Sequence, residues 1–386
     1  MSDLKPNEEL KHLRIALVGG GTAGHVEPAL AVGEWLRSHA SHVSCDFIGT
    51  KEGLEVRLVP AAGFALHTIS KVPLPRSLTP GILLWPFAIL RSTIAARRIL
   101  RGSDLIIGFG GYVSAPCYLA ARFLGIPFIV HEANAKPGWA NRMGARSASR
   151  LLIAFAGARR LGGVWAEAEL VGMPIKEKIA LLGGLSSRER AEMRRTLCHE
   201  IGFNPEEPIV FIFGGSLGAR MINKGIAEFL GYGKKDGIQI IHALGRNETL
   251  PIRTTSYFPL SYVDDMASMY ASADLIISRS GAVSCAEIEA AGKYALLIPL
   301  PIGNGEQEAN AEDLVRQGAA EICPNSQFTA SWLNKNIDRL LEQSHAFEVQ
   351  RSPRKINGAA QRIGVMALEL LGSHPQMNNL KSESAE

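Results

Sequence analysis

Compact apolar runs of strand length recur along this chain, separated by longer mixed segments. Residues 13–18, 43–48, 65–69, 105–107 and 127–130 form the first set, and residues 28–36 have helical character. The first run ends in Gly19-Gly20-Gly21, the fourth leads into Gly108-Phe109-Gly110-Gly111, and the fifth ends at His131-Glu132. The pattern restarts with residues 208–213, which end in Gly214-Gly215, and continues through 238–243, 275–278 and 295–299. Strands alternating with helix-length segments predict βαβ units around parallel sheets. The expected architecture is therefore α/β, with two Rossmann-like domains whose parallel sheets face a central cleft. A polar extension covers residues 1–12, the first domain 13–175 and the second 176–352. The charged stretch 177–202 is expected to be an irregular connection. Residues 353–372 read as a final helix returning to the first domain, and 373–386 as a disordered tail.

Composition narrows the class. The chain has 386 residues, 46% hydrophobic and 20% charged, which suits two globular domains. A net charge of +4 fits an anionic lipid surface or anionic substrate, and is too weak to imply nucleic acid. The 5 cysteines are dispersed, as in a reduced cytoplasmic protein. The polar N-terminus is unlike a signal peptide. The longest apolar run, residues 81–90, is interrupted by Pro86, whereas a spanning helix needs about 20 apolar residues, so none is expected.

In an open parallel sheet, ligands bind beyond the carboxyl ends of the strands, so the chemistry is sought in the turns there. Gly19-Gly20-Gly21-Thr22-Ala23-Gly24-His25 follows a strand and opens a helix, where bare N–H groups can dock a phosphate or sugar oxygen. It also fits G-x-G-x-x-G, but a dinucleotide fold needs an acid at the end of the second strand, and this one ends Phe47-Ile48-Gly49-Thr50. Gly108 to Ser114, including Tyr112, is a second such turn. Gly214 to Arg220 is a third, able to hold a diphosphate through Ser216 and the helix start. Glu287 could accept hydrogen bonds from both hydroxyls of a ribose, or merely complement a helix dipole. Gln307 and Asn310 suit hydroxyl recognition, and solvent exposure explains them equally well. His131-Glu132-Ala133-Asn134 suits hydroxyl binding or base chemistry.

Together these motifs resemble the MurG family, the undecaprenyldiphospho-muramoylpentapeptide β-N-acetylglucosaminyltransferases of peptidoglycan synthesis. GGTxGHxxPALA occurs at residues 20–31, GFGGYxS at 108–114, HExNxxPGxxNR at 131–142, GGSxGAR at 214–220, YxDDM at 262–266 and SRSGAxxxxE at 278–287. The resemblance covers about residues 13–372. It implies the GT-B glycosyltransferase fold and inverting transfer of N-acetylglucosamine from UDP-GlcNAc to the muramoyl C4 hydroxyl of lipid I, giving lipid II and UDP. It further implies no cofactor, donor contacts at Ser216, Val263 (backbone to uracil), Ala282, Val283, Ser284, Cys285, Ala286, Glu287 and Gln307, and first-domain contacts at Thr22, Ala23, Gly24, Tyr112 and Asn134. The resemblance also implies the inner membrane surface and other cell-wall synthesis proteins as partners. Two departures stand out. The family's GNPVR is Gly172-Met173-Pro174-Ile175-Lys176 here, so Lys176 keeps the charge and loses the bidentate fork. The family's His-Gln pair is His242-Ala243.

A hydroxyl is a poor nucleophile, so a base should take its proton during attack. His25 is the first candidate, with Glu132 and His131 as rivals, and the alternative role for His25 is only to hydrogen-bond a phosphate or sugar. Helix N-termini with Lys176 or Arg220 could stabilise the leaving diphosphate. No Asp-x-Asp is present, so no catalytic metal is expected. Leu83, Leu84, Trp85 and Phe87 precede Arg91, Arg97, Arg98 and Arg101, as an interfacial helix requires. A core helix with a basic end reads the same way. The expected location is peripheral, on the cytoplasmic side of the cell membrane. Rival readings are an NAD-type oxidoreductase, a glycosyltransferase with a diacylglycerol or sterol acceptor, and a non-catalytic nucleotide-sugar module.

Overall fold

The computed structural model describes residues 12–72, 85–215, 219–232, 237–301, 305–350 and 358–372. The first domain is built from β1 (Leu13–Gly19), α1 (Ala23–His39), β2 (Val43–Gly49), α2 (Glu55–Ala61), β3 (Ala65–Thr68), α3 (Trp85–Leu100), β4 (Leu105–Gly110), α4 (Ser114–Leu124), β5 (Phe128–Glu132), α5 (Trp139–Ala145), β6 (Arg150–Ile153) and β7 (Glu169–Leu170). Its sheet is 7-stranded, ordered β3-β2-β1-β4-β5-β6-β7, and every pair is parallel.

The second domain contains α6 (Glu177–Ala180), α7 (Ser187–Ile201), β8 (Ile209–Phe213), α8 (Arg220–Gly231), β9 (Gln239–Ala243), β10 (Tyr257–Leu260), α9 (Met266–Ser272), β11 (Leu275–Ser278), α10 (Ala282–Ala291), β12 (Ala295–Leu297), α11 (Glu306–Arg316), β13 (Ala320–Ile322) and α12 (Ala330–Gln350). Its sheet is 6-stranded and parallel, ordered β10-β9-β8-β11-β12-β13. The central strands are buried on both faces: β4, β5, β8, β9 and β11 carry no exposed position. Helices must therefore cover both faces, which is why these strands read as continuous apolar runs.

In each sheet the first strand lies inside the order, so the winding reverses beside it, between β1 and β4 and between β8 and β11. A crevice forms where adjacent connections leave in opposite directions, and these two crevices receive the glycine turns. The last helix, α13 (Ala359–Leu370), packs on α1 and buries Ile363, Ala367 and Leu368 in the core beneath the first sheet. Gly364 makes that approach possible, because a Cβ there would stand 2.1 Å from the Trp35 ring.

Residues 177–202 are not an irregular connection. Most of the stretch is α7, started by a capping box in which Ser186 and Glu189 bond each other's backbone N–H. Most of its charges face solvent, Arg190 and Arg194 turn inward to bond the Ala291 and Ser272 carbonyls, and Leu197, Cys198 and Ile201 join the second domain's core. Strands β6, β7, β10 and β13 were not distinguished in the sequence. Three have partly exposed positions and all are only 2 to 4 residues long, so their apolar signal is weak.

Candidate active site

The first glycine turn is held from beneath by a residue that the motif reading missed. Glu55, the first residue of α2, is fully buried and accepts hydrogen bonds from Gly21 N at 2.9 Å, Thr50 N at 2.7 Å and Thr50 Oγ1 at 2.7 Å. Gly20, Gly49 and Gly53 crowd around this carboxylate, and a Cβ on any of them would lie 2.0–2.6 Å from a Glu55 atom. The acid absent from the end of β2 is thus supplied by the next helix, where it braces the loop. The signal available in the sequence was the pair of glycines flanking Thr50 and preceding Glu55.

Thr22 then starts α1 in an extended conformation, and its Oγ1 lies 3.1 Å from His25 Nδ1. The second glycine turn packs directly behind the first. Gly110 and Gly111 have φ of 99° and 84°, and a Cβ on Gly110 would approach His25 Nε2 to 3.0 Å. Gly111 meets Gly20 O in the same way, at 2.6 Å. These glycines seat the imidazole. Enclosure pushes His25 down to about 4, against the opposing pull of Glu55 and a bond to the Gly20 backbone. The ring is therefore neutral near pH 7, and the same burial makes it a weaker base than an open imidazole. Tyr112, at the outer edge of this turn, is exposed.

His131 and Glu132 end β5 inside the domain. His131 is fully buried, its Nε2 lies 3.0 Å from Gly172 O, its Nδ1 is without a partner, and burial pushes it down to about 4. The Glu132 carboxylate accepts from Asn134 N at 2.9 Å, Gly138 N at 3.0 Å and Asn141 Nδ2 at 3.0 Å. Burial raises its pKa and these bonds lower it, with burial prevailing. All of these partners lie within residues 134–141, so Glu132 shapes that loop.

The loop it shapes reaches the second domain. Asn310 of α11 is buried and accepts from Ala135 N at 2.8 Å, while its Nδ2 reaches Asn134 Oδ1 at 3.3 Å. Asn134 and Asn310 therefore clasp the two domains together, and surface exposure does not account for Asn310. Gln307 spends its side-chain carbonyl on Leu300 N, at 2.9 Å.

Across the cleft, α10 packs against α1, and Glu287 comes within electrostatic reach of Glu27 on that helix. Glu287 Oε2 accepts from the Tyr270 hydroxyl at 3.0 Å. Burial pushes this carboxyl up to about 7, the Tyr270 bond opposing, Glu27 adding to the rise and Lys176 lowering it. Ala282, Cys285 and Ala286 turn into the core, so α10 meets the cleft through Val283, Ser284, Glu287 and the N–H groups of its first turn. Val263 is buried just before α9, and the neighbouring Asp265 is spent capping that helix through Ser268. Lys176 Nζ lies 3.3 Å from Glu27 Oε2 on α1. Arg220 is almost fully exposed and 3.9 Å from Glu248. Ser216 lies outside the described residues, as do Leu83 and Leu84. His242 is buried between Tyr257 and Asn223 in the second domain. Among the described residues no cluster of three His, Cys, Asp or Glu could hold a metal.

Two parallel α/β sheets with phosphate-suited helix starts at the carboxyl ends of their strands have the architecture of the GT-B fold. Residues 15–153 match the glycosyltransferase family 28 N-terminal domain and residues 209–363 its C-terminal domain. The UDP-N-acetylglucosamine–N-acetylmuramyl-(pentapeptide) pyrophosphoryl-undecaprenol N-acetylglucosamine transferase of Corynebacterium glutamicum strain R is 42% identical over 86% of this chain and 90% of its own length. The enzyme of the same name from Streptomyces avermitilis is 40% identical over 88% and 93%. The crystal structure of Acinetobacter baumannii MurG superposes with a TM-score of 0.68 at 29% identity, covering 92% of this chain and 99% of that one. The calicheamicin glycosyltransferase CalG4 shares the fold alone, at 14% identity and a TM-score of 0.62. This chain belongs to glycosyltransferase family 28 and, within it, to the MurG N-acetylglucosaminyltransferases.

Proposed function

We propose that this chain transfers N-acetylglucosamine from UDP-GlcNAc to the muramoyl C4 hydroxyl of undecaprenyl-diphospho-MurNAc-pentapeptide, releasing UDP. The observation that carries this reading is the packing of α10, which carries Glu287, against α1, whose first turn carries His25, across one cleft. Glu287 receives the ribose hydroxyls, and the Val263 backbone receives the uracil edge. Gln307 offers its remaining NH2 group to the sugar. The first turn of α10, Ser216 and Arg220 meet the diphosphate, while Lys176 is paired with Glu27. Thr22, Ala23, Gly24, Tyr112 and Asn134 line the acceptor side.

The acceptor oxygen attacks the anomeric carbon as its proton passes to His25. The carbon–oxygen bond to the diphosphate breaks with its electron pair leaving on UDP, and attack from the opposite face inverts the centre. His25 is preferred over His131 and Glu132 as the base because it is only half-buried at the start of α1, whereas both rivals are fully buried and hydrogen-bonded within the first domain. Transfer of radiolabelled N-acetylglucosamine to a lipid I analogue, with UDP-glucose and UDP-GalNAc as competitors, tests the activity. Efficient transfer from UDP-glucose or to a diacylglycerol acceptor would overturn the assignment.

Donor binding should depend on pH through Glu287. A carboxylate accepts two hydroxyls better than a carboxylic acid does. Because this group lies near 7, UDP affinity is expected to rise from pH 6 to pH 8, with proton release on binding. Titration calorimetry in buffers of different ionisation enthalpy checks the sign. Glu287→Gln should flatten the pH dependence.

The apolar stripe of α3 supports docking of the chain on the cytoplasmic face of the inner membrane. Phe87, Leu90 and Ile94 are 70%, 55% and 46% exposed, while the helix buries Ser92, Thr93, Ala96 and Leu100. Arg91, Arg97, Arg98 and Arg101 are exposed beside that stripe. Trp85 packs edge-on against Trp139, with ring centroids 6.2 Å apart. A helix that points its larger apolar side chains outward, flanked by arginines, suits an anionic lipid surface. Among the described residues no helix is long and apolar enough to cross a membrane. Phe87→Ser with Leu90→Ser should reduce sedimentation with anionic vesicles about tenfold or more, given roughly 2 kcal/mol per buried side chain, while UDP binding persists. Unchanged sedimentation would remove α3 from the docking surface.

A further inference from the structure

Two carboxylates from opposite domains compete for one ammonium at the bottom of the cleft. Glu27 projects from α1 of the first domain, Glu287 from α10 of the second, and Lys176 stands at the start of α6 between them. Glu27 Oε2 stands 3.3 Å from the ammonium as an ion pair without hydrogen-bond geometry, and its side chain is 15% exposed, against 47% for that of Lys176. Glu287 accepts from Tyr270 through Oε2, and Oε1 accepts no hydrogen bond among the described residues. Lys176 is nevertheless close enough to act on Glu287 electrostatically. The other titratable side chains within electrostatic reach of Lys176 or Glu27 are Tyr262 and Glu34.

We propose that Glu27 is a positioning residue for donor recognition: it sequesters the Lys176 ammonium from Glu287, so that a nucleotide's ribose diol finds the Glu287 carboxylate unpaired. The inference rests on the reading of Glu287 as the ribose-binding group and extends it to a residue outside the donor's own contacts. Its physical basis is the mobility of lysine. A guanidinium is held by its planar fork, whereas an ammonium on a four-carbon stem turns freely to whichever carboxylate is nearest. A lysine at this position therefore needs a fixed anion on the far side. Glu27 supplies one, half-sheltered on a helix that is itself clamped by α13. Without the Glu27 charge, the Lys176 ammonium swings to Glu287, and the diol must displace an ion pair before it binds. Burial opposes the charge on Lys176, and the Glu27 carboxylate more than restores it, so the competing cation is present throughout the neutral range.

The test is calorimetric binding of UDP and of 2′,3′-dideoxy-UDP to the full chain, which needs no acceptor and no turnover. The wild type should prefer UDP. Glu27→Gln should weaken UDP about tenfold, corresponding to about 1.4 kcal/mol, and leave dideoxy-UDP nearly unchanged, so the preference for the diol collapses. Glu27→Asp should keep most of it. In the Glu27→Gln background, Lys176→Met should restore the preference, because the intruding cation is gone. Equal weakening of both nucleotides by Glu27→Gln would mean a merely structural role and overturn the proposal, as would failure of Lys176→Met to restore discrimination. If the wild type itself binds both nucleotides alike, the ribose assignment of Glu287 fails first, a result separable from either of these.

Discussion

Replacing His25 with alanine is expected to lower kcat by about 10²–10⁴-fold, the usual contribution of a positioned general base. UDP affinity should change little. Single-turnover transfer to a lipid I analogue, with UDP binding measured in parallel, separates the two roles open to this residue. If His25 only anchors a phosphate, the loss appears in donor affinity and kcat survives. The pH profile adds an independent reading. Because enclosure pushes the imidazole down to about 4, the free enzyme keeps its base form well below neutrality. A kcat/KM profile with a His25-dependent limb at 6.5 would mean that the ring is more open than the packing of Gly110 and Thr22 allows. The substitution should be tolerated structurally, since His25 is only half-buried and supports no other side chain than Thr22.

Glu55→Ala is the second large expectation, and it acts through folding as well as activity. Three donors lose their acceptor at once, namely Gly21 N–H, Thr50 N–H and the Thr50 hydroxyl. Hydrogen bonds to a charged group contribute roughly 1.5–3 kcal/mol each, and a buried donor left unpaired costs a further desolvation penalty. The losses are coupled and will not sum, so about 3–5 kcal/mol is expected, read from the denaturant midpoint at unchanged slope. The glycine turn loses its brace in the same step. Transfer activity should therefore fall with His25 intact, and amide exchange should accelerate at residues 20–25. Glu55→Gln keeps an acceptor for part of the set and should recover part of the stability. A stable Glu55→Ala variant with full activity would show that the turn is held by its glycines alone.

The legibility of this protein in its sequence was uneven for physical reasons. The central strands were plain because parallel strands covered on both faces must be apolar throughout. Short strands such as β7 and β13 carried too few residues to rise above their surroundings. The charge of α7 hid a helix whose apolar positions recur at helical spacing. Among the candidate residues, proximity in the sequence misled most. His131 and Glu132 adjoin the cleft motifs along the chain, but the pleat of β5 and the loop after it draw both into the interior. Asn310 resembled an exposed helix-start residue and proved to be a buried clasp between domains. Glu55 belongs to none of the motifs and supports the first of them.

The sequence by itself determined the class of each half, because alternating apolar runs and glycine-ended strands admit little besides wound parallel sheets. It also determined the family, through motifs that lie in fixed order along both halves. Only the tertiary structure decided which polar side chains share the cleft. Burial, loop bracing and the pairing of Lys176 with Glu27 depend on contacts between residues 34 to 176 positions apart, and no local pattern encodes them.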